Sequence, residues 1–435
     1  TRGARRLDYD HLSVRAAAAP AALAAAARHA AASGGGAPLN VELVRDGRIA
    51  VIDGLRGIAI TMVVWLHVWG ISWQSVTIPF VNVSLQPIPE AGFIGVPLFF
   101  FISGFVLLLP FAHARLTGAT PPTWKHFFLR RALKIVPSYL LCIAVLIAIG
   151  FQTYPSLADA LRDVGFHLLF IHNWFAVTYE SITVPMWSLG VEIQFYVLFP
   201  LLAIAFLRAP IVTTLGMLAI ANGWRFWSLL SDHYFFEQRL AQLPAHLDFF
   251  AAGMLCAFVY AAIATKRPAL ANRTLLFSVV MIAGFAAFWL LLNDCYVHRF
   301  DKEWAQPWNV QHRSLLAVSF FAMGLGALFA SRWLQRTLAN PVLIFLAAIS
   351  YNLYLWHLPI LLELRKYHIP PFATADPHSD PKWMLAFGFV ALALALAVAA
   401  LFTYGFEAPI LRLGKRRRET RPSVTPNAPE TGLSP

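Results

Sequence analysis

The sequence predicts an all-α polytopic membrane protein, a bundle of about ten transmembrane helices, and three observations predict it. Of 435 residues, 58% are hydrophobic and only 13% are charged, whereas roughly a quarter of the residues in a soluble domain are charged. The apolar residues fall in repeated stretches near the ~20 residues that carry a helix across a bilayer core. Lysines and arginines gather at alternate ends of those stretches, as the positive-inside rule requires. Length alone would allow two or three soluble domains, but the apolar spacing replaces them with one helical bundle in lipid.

The spans fall at about 50–72, 92–112, 134–151, 187–207, 211–230, 246–265, 274–293, 314–332, 341–362 and 384–406. Residues 164–172, GFHLLFIHN, are too short to cross and read as a re-entrant or interfacial piece. With the N-terminus in the cytoplasm, the inner segments hold Arg45 and Arg48, Arg115 to Lys134, Arg208, Lys266 to Arg273, Arg332 and Arg336, and the cluster from Arg412 to Arg421. The outer loops are longer and carry fewer positive residues. Ten spans then return both termini to the cytoplasm.

Three regions follow: a low-complexity cytoplasmic tail at 1–47, a transmembrane domain at 48–410, and a basic, then Pro-rich cytoplasmic tail at 411–435. Residues 1–40 are rich in Ala, Arg and Gly. They lack the continuous apolar core and small-residue cleavage site of a secretory signal. The net charge of +12 would suit nucleic acid, but the excess sits where a topology signal belongs, so no nucleic-acid partner is expected. Cys142, Cys256 and Cys295 are scattered, with no disulfide or metal spacing.

Ionisable side chains inside spans are costly and mark function. The first span, RIAVIDGLRGIAITMVVWLHVWG, holds Asp53, Arg56 and His67. Arg56 and His67 are eleven residues apart, almost three turns, or roughly 16 Å along one face. Arg56 therefore belongs at the cytoplasmic mouth and His67 in the outer half, with Asp53 one turn before Arg56 and placed to pair with it. A lone histidine would read as a core residue bonded to a backbone carbonyl. Three aligned polar groups in one span favour a functional reading.

Glu192 enters from outside in PMWSLGVEIQFYVLFPLL, and His357 reaches the outer half of AAISYNLYLWHLPILL. Asp248 enters from outside in HLDFFAAGM. By depth, these three and His67 could share one outer cavity; alternatively, Glu192 and His357 form a structural ion pair that locks two helices. At the inner interface, TWKHFFLRRALKIVPSYLL carries Lys125, Arg130, Arg131 and Lys134. They read either as positive-inside anchors or as a clamp for phosphate oxygens.

The order DGLRGIAI…H, FFFISGFVL, FFLRRALKIVPSYL, WSLGVEIQFYVLFPLL, ISYNLYLWHLPI resembles the acyltransferase-3 family over roughly residues 48–410. These membrane enzymes O-acylate polysaccharides, lipopolysaccharide, peptidoglycan, antibiotics and lipids. Single motifs such as FISGF are weak, but five in order are specific. The family's Arg-to-His spacing falls on Arg56 and His67, after Asp53. Its arginine pair falls on Arg131 and Lys134. Lysine keeps the charge but loses the bidentate fork, which leaves Arg130 as the neighbour that could compensate. Its WSLxVE segment falls on Trp187, Ser188, Leu189, Val191 and Glu192, with Ile193 where a second glutamate often stands. Its SYxxYLWH segment falls on Ser350, Tyr351, Tyr354, Leu355, Trp356 and His357. Some members carry a fused SGNH hydrolase-like domain, and the segment after the tenth span is too short to be one.

The resemblance implies an acyl-CoA donor, acetyl-CoA by family habit, and a glycan, lipopolysaccharide or glycolipid acceptor. Acyl transfer needs a base, an oxyanion stabiliser and two positioned substrates. His67 is the candidate base, assisted by Arg56, Asp53, Glu192 and His357. Arg56, Arg130, Arg131 and Lys134 would hold the donor phosphates. Trp187, Tyr351, Tyr354 and Asp248 would meet the acceptor. No metal is expected. Simple base catalysis and a covalent acyl-histidine both remain open. The aromatics Trp174, Trp304, Trp308 and Trp383 of the outer loops either stack on sugars or anchor the interface. A secondary transporter and a non-catalytic glycan-binding protein are the rival classes, although a transporter would more often show two similar halves.

Overall fold

In lipid the backbone must satisfy its own hydrogen bonds, so apolar stretches of this length can only be helices. The computed structural model describes residues 44–45, 48–74, 77–78, 83–231, 233–372 and 376–419. The two tails expected from the sequence therefore lie mostly outside the described residues, although 408–419 is helical.

The main helices are α1 (Ala50–Ser72), α2 (Gly95–Thr117), α3 (Trp124–Ala148), α4 (Leu157–Leu168), α5 (Met186–Arg208), α6 (Pro210–Leu230), α7 (Leu247–Lys266), α8 (Thr274–Val297), α9 (Lys302–Gln311), α10 (Arg313–Phe329), α11 (Arg332–Leu338), α12 (Pro341–Lys366) and α13 (Pro381–Leu401). A π-helical segment, Phe402–Glu407, joins α13 to α14 (Ala408–Glu419). The strands among the described residues are two-residue pairings.

All ten predicted spans are helices. Eight of the helices are long and apolar enough to cross a membrane, and a ninth span arises if α9 and α10, bent by 47°, count as one. The exception is α6, whose C-terminal half carries Asn222, Arg225 and Ser228. The predicted third span begins later than the helix does. The amphipathic stretch that feeds it forms the first turns of α3, which starts at Trp124 with the Thr123 side chain accepting from His126 N–H. Residues 164–172 do not cross: α4 ends at Leu168 and a 3-10 turn, His172–Trp174, follows.

The most extensive packing joins α2 to α7, α8 to α10, and α12 to both α1 and α13. Of the apolar window in the α2 span, 83% is buried, against 22% in the span containing α13. Hence α2 is central and α13 peripheral. The α2–α7 crossing depends on missing side chains. A Cβ on Gly104 would stand 2.3 Å from the Phe250 carbonyl oxygen, and one on Gly253 2.0 Å from that of Phe101, so only glycine permits this approach. Large apolar side chains that face outward, such as Val197, Leu201, Ile211, Leu290 and Phe389, are more than half exposed. On a soluble protein they would be a liability, but here they form the lipid-facing surface.

Candidate active site

Two histidines meet because α1 and α12 come close. A Cβ on Gly57 would stand 2.5 Å from the Leu343 carbonyl oxygen. This glycine of the DGLRG stretch thus lets the two backbones touch. Further along the same two helices, Nδ1 of His67 lies 3.1 Å from Nε2 of His357.

The surrounding carbonyls fix the protons. His67 Nδ1 is 2.9 Å from the Val63 carbonyl oxygen, and His357 Nδ1 is 2.9 Å from that of Leu353. A carbonyl only accepts, so both Nδ1 atoms carry hydrogen. The His67 Nδ1–H is then shared between the Val63 oxygen and the bare Nε2 of His357. The remaining nitrogen, Nε2 of His67, keeps its lone pair. His357 is fully buried, whereas His67 is only partly so. The carbonyl bond expected of an ordinary core histidine is therefore present, but it coexists with a second histidine that the core reading does not supply.

Around this pair the α12 and α5 side chains interlock. Tyr354 and Ser188 hydroxyls are 2.6 Å apart, and Tyr354 donates to the Pro185 carbonyl oxygen at 3.1 Å. The Tyr354 ring centroid lies 6.0 Å from that of His357. Trp187 stacks on His246 at 5.5 Å and meets Phe100 edge-on.

Glu192 corrects one expectation. It does not pair with His357; its carboxylate accepts from the Tyr196 hydroxyl and, at 3.3 Å, from Ser103. The guanidinium of Arg131 lies over the Tyr196 ring, 5.4 Å from its centroid. Arg131, Tyr196, Glu192 and Ser103 thus form one polar tier between α2, α3 and α5. Asp248 is a second correction. It is fully buried and ion-paired with Arg225 at 2.7 Å, so it joins a cluster on α6, α7 and α10 rather than the histidines. Depth along a span gives a residue's height, but not the neighbour it faces.

Towards the N-terminal end of α1, Arg56 has a buried Nε without a hydrogen-bond partner. The one-turn spacing to Asp53 does not satisfy that atom. Arg130 is on the exposed face of α3, whereas Arg131 is half-buried, so the two do not form one fork. Lys134 pairs with Glu407 of the π-helical segment, and Asn352 donates to the other Glu407 oxygen and to Thr403, each at 3.0 Å. Tyr351 donates to the Ile135 carbonyl oxygen at 2.7 Å and turns its ring to Lys134. Sequence reasoning missed Glu407. The available signal was a carboxylate at the end of the last apolar span.

The outer tryptophans divide. Trp308 and Trp383 are 2% and 4% exposed, with indole N–H groups bonded to Asp294 and to the Pro370 carbonyl oxygen. They are structural, whereas Trp174, at 40%, is open to contact.

Residues 49–404 match the family described as acyltransferase domain. Among curated proteins, the chain is similar to a provisionally named O-acetyltransferase of Staphylococcus aureus (strain COL). The two are 23% identical over 398 residues, covering 86% of this chain and 59% of that protein. It is similar also to O-acetyltransferase OatA of Staphylococcus aureus (strain NCTC 8325 / PS 47), at 23% over 340 residues, 73% of this chain and 51% of that one. The chain thus spans between half and three-fifths of the length of these relatives. No solved structure matches it.

Proposed function

This chain belongs to the acyltransferase-domain family, and from that premise we propose that it is an integral membrane O-acetyltransferase. It takes an acyl group, acetyl by preference, from cytoplasmic acyl-CoA and delivers it to a hydroxyl of an extracytoplasmic glycan or glycolipid. The setting is a bacterial inner membrane, with both termini cytoplasmic.

The observation that carries this reading is the histidine pair, with one lone pair left over on His67 Nε2. The acceptor hydroxyl gives its proton to that nitrogen as its oxygen bonds to the thioester carbonyl carbon. The resulting imidazolium keeps its Nδ1–H on His357 Nε2, a neutral acceptor in the position a carboxylate occupies in serine-hydrolase triads. Collapse of the tetrahedral intermediate breaks the C–S bond. The leaving thiolate takes the proton back from His67, giving CoA thiol and the new ester. His67 is thus the catalytic base and His357 a positioning residue.

Arg56 and Arg131 supply the donor's phosphate contacts, Arg56 through the unsatisfied Nε and Arg131 from its seat above Tyr196. Arg130 contributes charge at the rim. Arginine forks suit phosphate oxygens. The narrow pantetheine arm then rises past Tyr351 and Glu192 towards His67.

Purified protein in liposomes with labelled acetyl-CoA and a sugar acceptor tests the reaction. Labelled ester on the sugar is expected. Uptake of label without a new ester would make the protein a transporter instead. For orientation, Glu303→Cys should react with a membrane-impermeant thiol reagent in intact cells and Arg267→Cys should not; the opposite pattern would invert the topology.

A further inference from the structure

Three helices bring two arginines into the protein interior at the extracytoplasmic end, and the reaction above uses neither. Arg225 of α6 is fully buried and Arg313 of α10 is 8% exposed. Arg225 spends one nitrogen, Nη2, on Asp248 at 2.7 Å and on the Ser314 hydroxyl at 2.9 Å. Its Nε and Nη1 are buried with no partner. Arg313 donates through Nε to Asn309 at 3.1 Å, and its Nη1 is likewise buried and unpartnered. Ser314 and Asn222 complete the rim by bonding each other.

The charges do not balance locally. Among the described residues the two guanidinium cations make one ion pair, Arg225 with Asp248, and Arg313 has no carboxylate within ion-pair distance. Glu237, on the short helix Phe236–Leu240, is a second carboxylate whose charge acts on Arg313 from beyond ion-pair distance. Ordered water could satisfy the orphaned N–H groups, but it would not neutralise a buried cation, and leaving one unpaired costs several kcal/mol. A planar fork with free donors at two neighbouring arginines matches an oxyanion, above all a phosphate.

The cluster also adjoins the acceptor side. Asp248 is two residues from His246, on which Trp187 stacks. Ser188, next to Trp187, holds Tyr354 beside His357. We infer that Arg225 and Arg313 form a phosphate-binding subsite that seats the anionic group of the acceptor, so that the acceptor is a phosphate-bearing glycan or glycolipid. This rests on the acetyltransferase reading above for the word acceptor, but the binding site itself does not.

The test is thermal unfolding of delipidated protein in detergent at constant ionic strength. Glucose 1-phosphate and inorganic phosphate should raise the melting temperature saturably, whereas glucose and potassium chloride should not. A parallel arm compares nanodiscs of phosphatidylglycerol with phosphatidylcholine. Response to the sugar phosphate or to the anionic lipid each supports the subsite, and the arm that responds identifies the source of the phosphate. Arg313→Gln removes an unpaired cation, so it should fold at least as stably as the parent while losing tenfold or more in phosphate affinity. Arg313→Lys, with charge but no fork, should fall between. No phosphate shift beyond the chloride control, or an equal shift in Arg313→Gln, would overturn the proposal. Release of CoA from acetyl-CoA, measured on the same preparation, separates the two claims. A protein that binds phosphate but never cleaves the thioester loses the acetyltransferase reading and keeps the subsite.

Discussion

Nδ1 of His67 and Nε2 of His357 stand 3.1 Å apart, although the two residues are 290 positions apart in the chain. Each ring also leans on the carbonyl one turn behind it, so the proton positions are set by the backbone rather than by the surrounding solvent. In the proposed mechanism this holds His67 in the tautomer that a general base needs.

His67→Gln should therefore fold, melt as the parent does, and lose about 10²–10⁴-fold in turnover, because an amide cannot take up a proton at neutral pH. At position 357 the contrast is between Gln and Leu. His357→Gln can still accept from His67 Nδ1–H and should retain much of the turnover; His357→Leu cannot, and should lose it. The KM for acetyl-CoA should stay unchanged in both. Equal loss in the two variants, or a rise in KM, would show that His357 does not act through His67.

The heights of these residues were legible in the sequence. The eleven-residue interval in one apolar stretch put Arg56 low and His67 high, and the helical pattern placed His357 in the same layer. What the sequence could not give was the direction each helix faces, because rotation about a helix axis is decided by packing between distant segments. Asp248 was grouped with the histidines by depth, yet its helix turns it to Arg225. Glu192 was grouped with the histidines by depth, with an ion pair to His357 as the alternative, and it is Tyr196, one turn along its own helix, and Ser103 that hold it. Buried Arg225 was missed because it sits in the span least marked as one, and that weakness was itself the sign of polar content.

Lys134 provides the second prediction. Its partner Glu407 is 273 positions away and sits in a π-helical turn, an irregularity frequent at functional sites. The clamp reading expects Lys134→Ala to weaken donor binding, whereas the ion pair expects it to destabilise. The Glu407 side chain is 5% exposed and that of Lys134 is 31%. The loss should then fall below the ~3–5 kcal/mol of a fully buried pair broken on one side. Lys134→Met and Glu407→Met should each lower the melting temperature, and the double variant should recover most of it. Arg131→Ala should behave differently, raising the KM for acetyl-CoA while leaving turnover nearly intact, as loss of uniform binding does. If Lys134→Met instead raises KM as Arg131→Ala does, without loss of stability, lysine belongs to the clamp after all.

The last prediction concerns acid stability, and it lies outside the spans. His167 and His172 stack with ring centroids 3.9 Å apart, both fully buried in the segment between α3 and α5. Asp163 holds His167 at 3.2 Å and is itself bonded by Tyr154 and Ser181. Burial, and behind it the charge of His167, pushes His172 down to about 3 from its ordinary 6.5. The sign follows from linkage. Above 6.5 the ring is neutral in folded and unfolded chains alike, so it contributes no pH dependence. Below 6.5 the unfolded chain takes up a proton that the folded one refuses, and stability falls with each step towards about 3. The loss approaches ~1.4 kcal/mol per pH unit, or about 2 kcal/mol by pH 5. Asp163 adds nothing in that window. Burial opposes its charge, but hydrogen bonds from His167, Ser181 and Tyr154 prevail and hold its pKa below 3.8, so its own contribution is lost only at lower pH. Melting temperature in detergent should therefore drop between pH 7 and pH 5 in the parent. His172→Gln, which has no proton to refuse, should flatten that drop while remaining folded at pH 7. An unchanged slope in His172→Gln would assign the acid sensitivity to other groups.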